Sequence, residues 1–406
     1  MALRMQAVCP QGEAMDAVRN PADRQAEIPW VPIAGVIATV TVFAVAQGLS
    51  YPLFTFLMQT QAMPPALIGL SAAMMPLGLI VSAPLVPVAV ERVGARRLAV
   101  CCALCAALLF LLIGVLQNAF AWFALRFVVG IILHPLYVLS EVWMISLAPP
   151  ARRGRLMGIY TAIIGGGFAA GPLSLTLVGS QGWPPFAIGI APFLAGGLCL
   201  LATPPNFPAM SDGKDRIPLS GFFRRAPVLL LAVGVAAAFE QCVLALLPVY
   251  GAGFGIAERV MSALLTVMIA GNVALQVPLG LLAERHAPRR MMIVCAGLSI
   301  VGAAMLPLLI ESTAVWPMLF VLGAVSHGIY TLALIELGSR FSGSMLVAGN
   351  AAFGLMWGVG GIAGPPAAGG LMQAIGAQGL PLMLGLLCAL LIAFAAWRRA
   401  AGRSEG

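Results

Sequence analysis

Blocks of continuously apolar residues, each about one membrane thickness long as a helix, fill most of this 406-residue chain. A helix needs about 20 mostly apolar residues to cross a hydrocarbon core of about 30 Å. On that basis the sequence predicts spans at 31–57, 65–90, 98–117, 119–147, 156–179, 185–203, 227–250, 259–283, 291–310, 314–337, 345–374 and 379–397. The blocks do not alternate apolar with polar residues, so they read as helices and not as barrel strands. Only 9% of residues are charged and the mean hydropathy is +1.00, against about 25% charged residues in a soluble chain. The expected fold class is therefore an all-α membrane protein of twelve transmembrane helices.

The basic residues set an expected orientation. With the N-terminus inside, the inner segments hold 20 of the 22 Lys and Arg. Arg259 is the one outer exception, and Arg126 lies within a span. By the positive-inside rule both termini are expected in the cytoplasm. The net charge of +8 is thereby explained without nucleic acid, because the basic residues are divided among short segments and form no single stripe. The first 30 residues lack the charged-then-apolar pattern of a cleaved signal and read as a cytoplasmic tail, with Met15 an alternative start. Seven of the eight Cys lie in spans; Cys102 and Cys105 form a C-x-x-C, but no His or second pair lies near it, so packing is the reading. No metal site and no cofactor are expected.

Two halves repeat. The chain divides into a tail (1–30), a first six-helix bundle (31–203), a polar linker (204–226), a second six-helix bundle (227–397) and a short tail (398–406). Glu91-Arg92 recurs as Glu284-Arg285, an offset of 193 because 284 stands that far beyond 91. The same offset relates Arg96-Arg97 to Arg289-Arg290, Gly130 to Gly323, His134 to His327 and Tyr137 to Tyr330. It also relates Gly165, Gly167, Gly171 and Pro172 to Gly358, Gly360, Gly364 and Pro365. Six spans return the chain to its starting side, so the repeats are parallel. Two parallel repeats about an axis normal to the membrane make an alternating-access design, with its site between them near the midplane.

The loop after the eighth span reads Gly280-Leu-Leu-Ala-Glu284-Arg285-His-Ala-Pro-Arg289-Arg290. The loop after the second reads Pro87-Val-Ala-Val-Glu91-Arg92-Val-Gly94-Ala-Arg96-Arg97. Both resemble the G-x-L-A-D-R-x-G-R-[RK] loop of the major facilitator superfamily, with Glu for the usual Asp, Pro87 for the leading Gly, and Ala287 and Pro288 for the inner Gly and the residue after it. Arg126-Phe-Val-Val-Gly130 is similar to that family's helix-4 element. Gly158, Gly167 and Gly171-Pro172 resemble the helix-5 motif of its antiporter branches, although Leu175 and Thr176 replace the usual trailing Gly pair. The run from Leu139 to Tyr160 shows a partial likeness to a bacterial branch of YcaD type. The resemblance implies the major facilitator fold, a bacterial cytoplasmic (inner) membrane, a small-molecule substrate and a monomer.

Single residues carry the expected mechanism. Glu91, Arg92, Arg96, Glu284, Arg285 and Arg289 are expected to latch the cytoplasmic gate, with Glu141 and Glu336 as partners for the arginines. Glu336 with Arg340 also fits a local i,i+4 pair. Gly158, Gly167, Gly171, Pro172, Gly360, Gly364 and Pro365 are expected to pack and bend helices. Arg126, Gly130, His134, Tyr137 and Glu141 fall within about 80° of one helix face. A buried arginine is costly in lipid, so that face is expected to line a cavity or meet a partner. Glu240, about 20 Å into its span, is the expected partner; Gln47 is its counterpart in the first half, so one half titrates and the other does not. His134 and His327 are expected to face each other across the axis, with Tyr330 beside the second.

The leading functional reading is secondary transport of a small organic solute, as export coupled to proton entry. The alternatives are an importer or uniporter of the same fold and a non-transporting membrane sensor. No metalloprotease, serine-hydrolase or phosphate-loop motif is present, so an enzyme is not expected.

Overall fold

The computed structural model describes residues 30–147, 153–202 and 219–404. The expected N-terminal tail, Arg152, most of the linker and the last two residues lie outside the described residues. The described chain is helical throughout: α1 (Trp30–Thr60), α2 (Pro65–Ser82), α3 (Leu85–Val93), α4 (Ala95–Val115), α5 (Ala119–Leu147), α6 (Arg153–Val178), α7 (Pro184–Ala202), α8 (Leu219–Arg225), α9 (Pro227–Ala252), α10 (Glu258–Arg285), α11 (Pro288–Leu309), α12 (Val315–Arg340), α13 (Gly343–Ile375) and α14 (Gly379–Ser404). Twelve of these are long and apolar enough to cross a membrane; α3 and α8 are the short ones. Pro65, Pro227 and Pro288 open their helices, at the position where a missing N–H removes no helical hydrogen bond.

One expected span is corrected. The block at 65–90 is not a single helix: α2 ends at Ser82 and α3 begins at Leu85. Pro84 lies between them, with no amide to donate and a ring that crowds the carbonyl four residues back. Its counterpart Val277 imposes no such break, and α10 is continuous.

The repeat extends to backbone packing. A Cβ on Gly78 would collide with the Phe127 carbonyl, and one on Gly130 with the Met75 carbonyl. In the second half Gly271 stands in the same relation to Phe320, and Gly323 to Met268. All four pairs obey the offset of 193. These glycines let α2 approach α5, and α10 approach α12, at backbone contact, which is how small residues hold helices together where lipid supplies no hydrophobic drive. The contacts between halves repeat as well: Gly165 on α6 meets Val273 on α10, and Gly358 on α13 meets Ile80 on α2.

Helix α9 is buried along most of its length. By contrast α4, α7, α11 and α14 expose Leu104, Leu108, Leu198, Val294, Leu386 and Leu390. Those four helices form the lipid-facing periphery, and α9 belongs to the centre. At the face opposite the arginine-rich ends the halves touch: Thr55 Oγ1 donates to the Ala245 carbonyl at 2.8 Å, and the Ser180 hydroxyl donates to the Glu258 carboxylate.

Candidate functional site

A cavity of about 230 Å³ lies between the halves. Its wall takes Gln47 from α1, Tyr137 from α5, Thr161, Gly165 and Phe168 from α6, Glu240 from α9, Asn272 and Gln276 from α10, and Ser326 and His327 from α12. Glu240 stands 13 residues after the start of α9 and 12 before its end, which places it at mid-depth. Apolar residues such as Val243, Leu244, Leu265 and Ile269 make up much of the remaining lining.

Glu240 and His327 are joined on this wall. His327 Nδ1 lies 2.8 Å from Glu240 Oε2, and both side chains remain partly open, at 17% and 27% exposure for His327 and Glu240. A contact of this length requires one proton between the two atoms, held by the imidazole or by the carboxyl. An aromatic corner fixes the imidazole plane. Its ring centre is 5.6 Å from Tyr330 and 6.1 Å from Trp357, and those two rings pack edge-on at 4.9 Å. Tyr330 therefore supports the site from behind His327 and is not itself on the wall.

A second polar group sits on α10. Gln276 Nε2 donates to Asn272 Oδ1 at 2.7 Å, leaving the outer amide atoms of both residues for another partner. On α1, Gln47 comes within hydrogen-bonding reach of the Tyr51 hydroxyl, as does Gln241 from α9.

The first-half histidine and arginine are placed otherwise than expected. His134 does not face His327; its Nδ1 meets Ser82 Oγ on α2 at 2.9 Å, inside its own half. Position 275, equivalent to Ser82, is leucine, so the two histidines have no common partner. Nor does Arg126 meet Glu240. It is 2% exposed, its guanidinium lies 4.5 Å from the Phe54 ring and 6.0 Å from that of Tyr51, and its Nε and Nη2 have no hydrogen-bond partner. Cation–π attraction, rather than an ion pair, stabilises it in this conformation.

At the arginine-rich face, the described polar contacts of the expected gate residues stay within each half. Arg96 donates to the carbonyls of Leu200 and Leu201. Glu336 Oε1 accepts from Arg340 Nη1 at 2.8 Å, the local pair. Glu91, Arg92, Glu141 and Arg285 are exposed, Arg289 is half-buried close to Glu336, and the side chain of Glu284 is outside the described ones. The two copies of the loop differ for a backbone reason. Gly94 has φ +87, a left-handed value that favours glycine, whereas Ala287 sits at φ −59.

The glycine–proline motifs pack the central helices. Gly167 and Gly171 of α6 lie against Thr41 and Leu49 of α1; Gly360 and Gly364 of α13 lie against Gly234 and Ala238 of α9. Pro172 and Pro365 fall inside these helices. Gly158 is corrected: a Cβ there would meet nothing among the described residues within 4 Å.

Asn272, Gln276 and Trp357 escaped sequence reading. The two amides did leave a signal, a polar pair one turn apart in an otherwise apolar span. Trp357 left none, since a tryptophan in an apolar helix reads as core or as lipid contact.

A family model described as Major Facilitator Superfamily matches residues 36–257 and 229–405. The uncharacterized MFS-type transporter YfkF of Bacillus subtilis (strain 168) is 26% identical over 348 residues, spanning 83% of this chain and 88% of that protein. The uncharacterized MFS-type transporter YcaD of Escherichia fergusonii is 25% identical over 263 residues, 64% of this chain and 68% of its own. Among solved structures, a mutant of the nucleoside transporter NupG superposes with a TM-score of 0.78 at 13% identity, covering 90% of this chain and 99% of that one.

Proposed function

Since this chain belongs to the major facilitator superfamily, and is on that ground a membrane transporter of a solute rather than an enzyme, we propose that it exports a small organic solute in exchange for protons. The observation that carries this reading is the Glu240–His327 contact on the wall of a cavity between the halves at mid-depth. A carboxylate midway through a membrane is costly unless it is paired or protonated. His327 supplies the pair in this conformation. A proton on Glu240 would replace it in the other, so loading and release can follow the movement of the halves.

In this reading the arginine-rich face is cytoplasmic, in the inner membrane of a bacterium, with both termini on that side. The halves 31–203 and 227–397, joined by the linker 204–226, rock about the cavity. The contacts of Thr55 with Ala245 and of Ser180 with Glu258 close the far side and must part in the alternate state. Glu91, Arg92, Arg96, Glu141, Glu284, Arg285, Arg289 and Glu336 then form the opposing closure. Arg126, with unpartnered nitrogens beside Tyr51, is the cation whose approach, as the halves move, drives that proton off Glu240 again. Among the described residues the lining offers one carboxylate and several amides but no Lys or Arg, which favours neutral or cationic amphipathic solutes over anions. A single chain supplies every residue of this cycle, so the working unit is a monomer.

A susceptibility and uptake screen of a deletion strain identifies the solute, and flux in proteoliposomes with pyranine trapped inside then reads solute and proton together. Export coupled to proton entry predicts opposite directions for the two. Glu240→Gln is expected to lose the pH-driven component by about tenfold or more, the range of a lost acid–base group, while exchange without a gradient persists. Retention of full pH-driven flux by Glu240→Gln contradicts the reading.

A further inference from the structure

Away from the central cavity, at the arginine-rich end of the second half, four guanidinium groups converge on a hollow of about 260 Å³. Arg225 comes from the end of α8, Arg289 from the start of α11, Arg340 from the end of α12 and Arg398 from the end of α14. Ala226, Pro227, Val228 and Leu229, the N-cap and first turn of α9, complete the lining together with Ala401 of α14. No side chain caps that helix, so its free amides and the positive end of its dipole face the same space. The acid recorded beside these arginines is Glu336, whose Oε1 is already taken by Arg340. Arg289 Nε is enclosed and without a hydrogen-bond partner. Four cations with one acid make a site short of negative charge among the described residues.

Its depth indicates what fills it. Arg398 follows Trp397, which is 60% exposed, on a helix whose outer face carries exposed Leu386 and Leu390. Tryptophan at the end of a lipid-facing helix marks the interface where headgroups lie. Guanidinium groups match phosphate oxygens by paired, charge-assisted hydrogen bonds, and basic hollows between helix ends at that level suit anionic headgroups.

We propose that this cavity binds the phosphate group of an anionic phospholipid. The bound phosphate ties the start of α9, which carries Glu240, to the end of α12, which carries His327. The binding does not rest on the transport reading, and its test uses neither solute nor gradient.

The test titrates the full detergent-solubilised chain with phosphatidylglycerol, phosphatidylcholine or inorganic phosphate and follows the thermal unfolding midpoint. Phosphatidylglycerol is expected to raise the midpoint saturably and phosphatidylcholine to leave it unchanged. The double variant Arg225→Gln with Arg398→Gln is expected to weaken the apparent affinity by about tenfold or more, given the strength of hydrogen bonds to charged groups. Arg225→Lys with Arg398→Lys keeps the charge and the fold but loses the fork, and should fall between. Arg290→Gln, exposed and outside the cavity, should match the native chain. Equal shifts from both lipids, or undiminished affinity in both double variants, overturn the site. Full stabilisation by millimolar phosphate with no further gain from lipid overturns the lipid assignment.

Discussion

At the scale of single residues the two halves have diverged while their backbones have not. His134 and His327 occupy equivalent positions, yet one meets a serine hydroxyl and the other a carboxylate. Only the second contact joins two groups that each exchange protons, an imidazole and a carboxyl. His327→Gln is therefore expected to reduce pH-driven flux about tenfold. Ser82→Ala should leave that flux within about twofold and cost about 1 kcal/mol of stability, one neutral hydrogen bond. Flux and thermal melting of the same two variants separate these outcomes. The sequence pointed to Glu240 and His327 because charge in an apolar span is costly, but the partner of each depends on rotamers and helix rotation, which spacing does not encode.

Helices carry the next set of consequences. Gly271 lies where a Cβ would overlap the Phe320 carbonyl, whereas Gly280, nine residues on in the same helix, has open space. Gly271→Ala should force α10 away from α12 and destabilise by about 3 kcal/mol, as overpacking does. Gly280→Ala should be neutral or stabilising by up to about 1 kcal/mol, since alanine costs less helix entropy. Melting in one detergent compares the pair directly. Gly94→Ala should also destabilise, because φ +87 disfavours a side chain. The apolar blocks announced the helices themselves, but not the break at Pro84, since Pro76 and Pro172 lie inside unbroken helices. Gly158 shows the opposite limit: it fits a glycine motif in sequence but approaches no described neighbour.

For the molecule as a whole, the question is which face of the cavity is closed. The cross-half hydrogen bonds of Thr55 and Ser180 lie at the face away from the arginines. Thr55→Cys with Ala245→Cys, in a background whose eight native cysteines are replaced, should be joined by a short bifunctional thiol reagent. The cross-link should abolish flux while leaving the unfolding midpoint unlowered, because it holds the halves in a conformation they already adopt. Undiminished flux through the cross-linked protein would show that this face does not open in the cycle.

Membrane class, helix number and the two-fold repeat were determined by the sequence alone, because lipid demands long apolar helices and a duplication leaves its residues at one constant offset. The tertiary structure decided which polar side chains share a wall, that Arg126 rests on an aromatic ring, and that four distant arginines surround one hollow. Those outcomes depend on how the helices turn and tilt against one another, and several arrangements of equal hydrophobicity are open to the same set of spans until close packing at the glycines selects one.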